Sequence, residues 1–389
     1  MKIVHYCQHV LGIGHFIRSL EICKALKGHK VLLVTGGPPI DTPLPPHIRE
    51  VRLPGLMMDS NFKRLFPTGK GGSIEQVKQR RQKLVFDLFN KEAPDIFIVE
   101  LYPFGRKAFR FELDPVLEGI CNNELPACKV ICSLRDVLVE REDSAKHEMR
   151  VISSLNRYFD AVLVHADPDL LKLDETFSRI GDISIPLVYT GFVTPKPSRN
   201  IRARLRRQLE IGTHEFLIVA SAGGGHVGAP LLQAVVNALA YIDKGKTVHL
   251  YVFAGPFMDE AEFDRLHALA GKGVQVFRFK PDFLSYLAAA DLSVSMAGYN
   301  TCMNILAANV PALVWPFSQN REQRFRAERL AGTGMMQVLD DKDLCPDRLA
   351  AIMDQALSQR SRQAGRIDLD GARKTAEWLE NWMQSSQRL

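Results

Sequence analysis

The sequence predicts an α/β fold: two doubly wound parallel-sheet domains facing a cleft. Three observations carry this. Short β-rich runs alternate with amphipathic helical patterns along nearly the whole chain, the pattern of parallel strands joined by helices. The alternation breaks once, over residues 192–212, where Pro195, Pro197 and a cluster of arginines form an extended connection. A glycine turn after the first strand, HVLGIGH (residues 9–15), returns as SAGGGH (221–226), and each leads into a helical pattern. A chain of 389 residues also exceeds the length at which one core normally keeps growing.

The elements follow in order. Strands are expected at 2–7, 30–36, 50–53, 95–100, 129–134, 161–166 and 187–191. Between the first two, Ile17, Leu20, Cys23 and Leu26 recur at helical spacing, Arg18, Lys24 and Lys27 take the other face, and Gly28 caps the end. After the break, strands are expected at 215–220, 248–255, 274–279, 292–296, 312–317 and 335–339. The expected domains are therefore 1–194 and 195–389, with the last helix, 370–385, packing back on the first domain through Trp378, Leu379 and Trp382. The long irregular insertion at 36–72 is a candidate for acceptor recognition.

Composition narrows the function. With 46% hydrophobic and 24% charged residues the chain is ordinary for a globular protein. No apolar run approaches the roughly 18 to 20 residues that cross a bilayer, and the short apolar start reads as a buried strand rather than a signal peptide. Seven cysteines without a CxxC pair argue against a disulfide framework or a zinc cluster. A net charge of +6 suits an anionic small ligand and gives no support for nucleic-acid binding. The densest basic run, KQRRQK (78–83), reads as a solvated helix face in preference to a phosphate patch. The expected location is the cytoplasm.

The two glycine turns are where chemistry is expected. In open α/β sheets the ligand site lies beyond the carboxyl ends of the strands, at a helix start. Gly12 and Gly14 occupy that place in the first half; Gly223, Gly224 and Gly225 occupy it in the second, which has more glycine and is the better phosphate cradle. Neither turn is a P-loop, because no Lys-Ser/Thr follows, and the first fails the dinucleotide fingerprint at Ile17. His15, at a helix start, is a candidate general base; a histidine that only bonds its own turn is the competing reading. Glu100, closing a strand, either orients His15, contacts the acceptor or pairs with Arg106. Arg135 and Asp136 are placed similarly, and His226 is assigned to donor contact. No metal site is expected.

The segment SMAGYNTCMNILAANVPALVWPFSQNREQRFRAERLAGTGM (295–335), with GIGH and SAGGGH in order, resembles the donor-binding half of GT-B glycosyltransferases, most closely the MurG-like family with its glycosyltransferase family 28 C-terminal domain. VELYPFGR and SLRD look like a less characterised bacterial branch of predicted glycosyltransferases. The resemblance implies two Rossmann-like domains and inverting, metal-independent transfer of a sugar from a nucleotide diphosphate sugar to a hydroxyl acceptor. A UDP-sugar is the implied donor, and no further cofactor is implied. Gly14 and Gly223 to Gly225 would meet the diphosphate, Phe279 and Lys280 the base, Gly298, Asn300 and Thr301 the phosphates, and Glu322 with Gln323 the sugar. Asn304 stands where the family usually has a ribose-binding glutamate, which leaves the nucleotide open.

Two other readings stay in view: a nucleotide-sugar hydrolase or epimerase on the same scaffold, and a non-catalytic sugar-nucleotide binding protein. The acceptor is not legible. The basic segment near Lys78 and the apolar residues 55–58 allow peripheral contact with the inner face of a membrane and a lipid-linked acceptor; a soluble acceptor is equally compatible.

Overall fold

The computed structural model describes residues 1–9, 14–40, 42–58, 64–68, 72–138, 144–319, 321–359 and 367–386. Gly12 and part of the long insertion lie outside them. The chain divides into two compact units, residues 1–193 with 368–389, and residues 194–367.

In the first unit the order is β1 (Lys2–Tyr6), α1 (Gly14–Ala25), β2 (Lys30–Thr35), β3 (Ile48–Arg52), β4 (Leu56–Met58), β5 (Leu65–Pro67), α2 (Ile74–Glu92), β6 (Ile96–Glu100), α3 (Arg110–Cys121), β7 (Lys129–Arg135), α4 (Ser144–Tyr158), β8 (Ala161–His165) and β9 (Leu187–Tyr189). Seven strands form one parallel sheet in the order β3-β2-β1-β6-β7-β8-β9. Helices cover a parallel sheet on both faces, so its central strands read as unbroken apolar runs; all five residues of β6 are buried. The insertion is more regular than expected, since beyond the expected strand β3 it contains the antiparallel pair β4 and β5.

The second unit runs α5 (Ile201–Gln208), β10 (Phe216–Ser221), α6 (Ala229–Ala238), β11 (Val248–Phe253), α7 (Glu260–Leu269), β12 (Val274–Phe277), α8 (Phe283–Ala289), β13 (Leu292–Met296), α9 (Tyr299–Ala308), β14 (Ala312–Trp315), α10 (Arg321–Ala331), β15 (Met336–Val338) and α11 (Pro346–Ser358). Its six strands are parallel, in the order β12-β11-β10-β13-β14-β15.

The second unit ends at residue 367 and not at the end of the chain, because the last helix, α12 (Gly371–Ser386), belongs to the first unit, onto which it was expected to pack. Ala376 and Leu379 are buried in the first unit's core with Ile3, Phe16 and Leu20, while Trp378 and Trp382 stack with ring centroids 5.0 Å apart. A bridge between Val193 and Asp370 ties the returning chain to its point of departure.

The basic run in α2 is also only partly a solvated face. Arg81 is fully buried. It donates to Glu112 (2.8 and 2.6 Å), Gln8 (2.9 Å) and the Pro54 carbonyl (2.8 Å), and Glu112 also accepts from the Tyr6 hydroxyl. A guanidinium with this many partners is a structural clamp joining β1, α2 and α3.

Candidate active site

The order of the first sheet fixes one site. The chain winds outward through β1, β2 and β3, then returns beside β1 with β6 and winds the other way. The crevice at such a switch lies beyond the carboxyl ends of the two adjacent central strands. His15 sits there in the first turn of α1, and Glu100 is the last residue of β6.

The two side chains meet: His15 Nδ1 is 2.7 Å from Glu100 Oε1. The His15 side chain is 25% exposed and that of Glu100 only 1%, so the imidazole lies at the opening with the carboxylate sealed beneath it. Arg18, one helical turn beyond His15, also donates to Glu100 Oε1. Arg106 Nε lies 3.7 Å from Oε2, so pairing with Arg106 and orienting His15 both occur. Arg18 is 3% exposed, which corrects its placement on the polar face of α1.

The charges decide how His15 is protonated. An ionised carboxylate only accepts, so Nδ1 carries the proton and Nε2 keeps its lone pair. The 3.3 Å approach of Arg18 Nη2 to Nδ1 is then a contact and not a hydrogen bond. Burial lowers the pKa of His15. Glu100 opposes this, but Arg106 and Arg18 reinforce it, and the net shift is downward. Burial alone would raise the Glu100 carboxyl; His15, Arg18 and Arg106 outweigh it and hold the group well below the usual carboxylate range. The arrangement yields a neutral imidazole at neutral pH, oriented from behind.

Further polar groups continue behind this pair. His165 is buried, with Nε2 at 2.8 Å from Ser133 Oγ and Nδ1 at 2.8 Å from Thr190 Oγ1. Buried His5 has no hydrogen-bond partner for either ring nitrogen among the described residues. Burial pushes its pKa down to about 4 and that of His165 down to about 3. The sequence reading gave neither residue a role. Asp136 is buried, with Oδ1 accepting from the Val137 amide at 2.7 Å.

The second sheet has its switch between β10 and β13. Gly223 to Gly225 follow β10, and Gly298 caps α9 directly after β13. Thr301 links the turns: a Cβ built on Gly223 would stand 3.6 Å from its hydroxyl oxygen, and one on Gly298 3.9 Å. Gly225 has φ +95°, and a Cβ there would lie 2.7 Å from both the Ala254 carbonyl oxygen and the Met258 amide nitrogen. Glycine is required because two stretches of backbone touch with no room for a side chain. Helix α6 starts at Ala229 and not directly after the turn. His226 is exposed, with its ring 5.0 Å from that of Phe257.

The remaining donor candidates are spread along this edge. Phe279 is 50% exposed past the end of β12, and Lys280 Nζ donates to the Tyr286 hydroxyl at 3.1 Å. Asn300 is in the first turn of α9. Gln323 accepts from the Phe317 amide at 3.0 Å, and buried Glu322 pairs with Arg326 at 3.9 Å. Asn304 Oδ1 accepts from the Thr194 hydroxyl at 3.1 Å, so its amide is anchored rather than turned to solvent.

Three Asp-x-Asp spacings occur. Asp167 caps the amides of Asp169 and Asp368, Asp343 pairs with Arg348, and Asp368 pairs with Lys374. No group of three or more His, Cys, Asp or Glu side chains is arranged to hold a metal among the described residues.

Comparison with known proteins identifies the fold. The fold is that of GT-B glycosyltransferases: MurG of Acinetobacter baumannii superposes with a TM-score of 0.55 at 16% identity, covering 100% of both chains. A glycosyltransferase from Rickettsia africae gives 0.58 at 12% identity, covering 99% of this chain and 93% of that one. Residues 219–377 match the Glycosyltransferase family 28 C-terminal domain, and the chain resembles the MurG-like glycosyltransferases. An uncharacterized glycosyltransferase of Methanopyrus kandleri is 22% identical over 224 residues, 57% of this chain and 61% of that protein. The UDP-N-acetylglucosamine--N-acetylmuramyl-(pentapeptide) pyrophosphoryl-undecaprenol N-acetylglucosamine transferase of Mesorhizobium japonicum is 29% identical over 145 residues, 36% of this chain and 39% of that protein. The chain thus spans less than two thirds of these relatives. No helix among the described residues is long and apolar enough to cross a membrane.

Proposed function

We propose that this protein is an inverting, metal-independent glycosyltransferase that moves a sugar from a nucleotide diphosphate sugar to a hydroxyl acceptor. His15 Nε2 takes the proton of the acceptor hydroxyl as its oxygen attacks the anomeric carbon. The bond from that carbon to the diphosphate breaks on the opposite face, and the nucleoside diphosphate leaves with the electron pair. Glu100 is a positioning residue that fixes the tautomer and orientation of the imidazole. Backbone N–H groups of Gly223 to Gly225, with Thr301 and the start of α9, receive the charge that develops on the diphosphate. Gly14, at the start of α1, is a further backbone contact for the diphosphate. Phe279 and Lys280 flank the base, Asn300 and Gly298 approach the phosphates, and Glu322 and Gln323 reach the sugar. The Asn304 amide nitrogen serves the ribose, and His226 contacts the donor.

The observation that carries this reading is the His15–Glu100 pair at the first switch point, taken with a glycine turn at the second. The matched relatives support a UDP-sugar donor and a lipid-linked acceptor. A thermal-shift panel of UDP, dTDP, GDP and CMP tests the donor, because a ligand bound only to the folded state raises the melting temperature. Transfer that survives EDTA and is lost in His15→Ala, with nucleotide binding retained, is the expected outcome. Loss of nucleotide binding in that variant, or inhibition by EDTA, overturns the proposal.

A further inference from the structure

A cavity of about 350 Å³ between α3 and α4 takes no part in the site above. Its walls carry four cations, Lys107, Arg110, Arg150 and Arg157, against two carboxylates, Asp114 and Glu118. Both carboxylates, carried by α3, are already engaged. Asp114 accepts from Arg110 Nε at 2.9 Å and from the Tyr102 hydroxyl, and Glu118 accepts from the Tyr158 hydroxyl at 3.3 Å. On the α4 side, Arg150 Nε donates to the Lys146 carbonyl at 3.2 Å, and Arg157 lies over the Tyr158 ring at 4.9 Å. Neither arginine, nor Lys107, pairs with a carboxylate among the described residues.

The spacing points to the ligand. Arg150 and Arg157 are two helical turns apart on one face of α4, about 10 Å along the axis, with Ser153 and Ser154 between them on the cavity wall. Guanidinium forks bind phosphate oxygens in bidentate fashion, and two long arms at this separation converge on a group larger than a single phosphate. The loop at 101–106 adds a second observation. It gives Tyr102, Pro103 and Gly105 to the cavity and Arg106 to Glu100. Leu101 and Arg106 hold φ of 66° and 58°, a left-handed conformation that non-glycine residues adopt at a cost and that gathers at ligand sites.

We propose that this cavity binds the phosphate groups of a phosphorylated small molecule, with a diphosphate matching the arginine spacing, as a site separate from both switch points. A bound ligand would rest against the loop that holds Arg106 to Glu100. The phosphate belongs either to a soluble compound or to a lipid headgroup.

Phenylglyoxal labelling of arginines in the full chain, read residue by residue by peptide mass spectrometry, tests this without reference to activity. Near-saturating sodium pyrophosphate should slow labelling of Arg150 and Arg157 about tenfold and leave exposed Arg265 and Arg373 unchanged. Arg150→Glu should abolish the protection at Arg157. Vesicles of phosphatidylcholine with phosphatidic acid form the second arm: protection by pyrophosphate alone assigns a soluble ligand, and protection by both assigns a lipid headgroup. Equal labelling with and without pyrophosphate overturns the proposal, as does protection that survives Arg150→Glu. Protection by vesicles alone also overturns it, because it would mark a surface contact and not a cavity site.

Discussion

Replacing Glu100 with glutamine keeps the volume and hydrogen-bonding reach of the side chain and deletes its charge. No cavity forms, so the consequence is almost purely electrostatic. Arg18, 3% exposed, and Arg106, whose side chain is 9% exposed, then lose the buried carboxylate that both of them face. Removing one partner of a buried pair typically costs about 3–5 kcal/mol, because the other charge is left uncompensated. For a unit of this size each kcal/mol lowers the melting temperature by about 2–4 °C, which predicts a drop of about 10 °C for Glu100→Gln. Scanning calorimetry of the whole chain measures this, with the transition of the second unit expected to stay in place. Adding Arg18→Met removes one of the two cations that faced the lost carboxylate and should recover part of the loss, a coupling of at least about 1 kcal/mol. A drop below about 2 °C, or additive effects of the two substitutions, would refute the electrostatic account of this cluster.

Other outcomes follow from the same structure. Because His15 is held neutral below its ordinary pKa, the acid limb of the kcat/KM profile should fall below about pH 6.5, and Arg18→Gln should move it upward; an unmoved limb contradicts the assignment. His5 binds its proton less readily when folded, so between about pH 6.5 and 4 the unfolded chain holds more protons and stability declines as pH falls. The loss from His5 alone reaches about 3 kcal/mol, and urea unfolding across that range should be flatter for His5→Phe. Gly224→Ala meets nothing nearer than Phe257 Cδ2 at 3.9 Å, whereas Gly225→Ala meets two backbone atoms at 2.7 Å. Thermal scans should therefore show Gly224→Ala near wild type and Gly225→Ala destabilised by about 1–3 kcal/mol. Leu379→Ala should destabilise the first unit by about 3 kcal/mol, read as faster hydrogen exchange in β1 and α1 with β10 and β13 unchanged.

Much of this was legible along the chain. Strand and helix periodicity, the two glycine turns and the break near Pro195 are local patterns, and local patterns survive in a single sequence. His15 and Glu100 were both singled out because each stands at the end of its own element. Arg18 was also within reach: three residues after His15 on a helix, it shares that residue's face, but its charge led to a solvated reading. Arg81 was hidden for the same reason inside KQRRQK, because only the arrival of Glu112, Gln8 and Pro54 from other elements makes its burial affordable.

Outside the insertion, the sequence alone determined which residues form the strands of the two sheets, where the turns carry glycine, and which side chains stand at strand ends. The tertiary structure decided what those side chains meet. The sheet order β1-β6 brings His15 and Glu100 together across 85 positions, and the return of α12 assigns the last helix to the first unit. The physical reason is range. Backbone preference and hydrophobic period act over a few neighbours, while ion pairing and burial depend on strand order, which is set by the packing of the whole sheet.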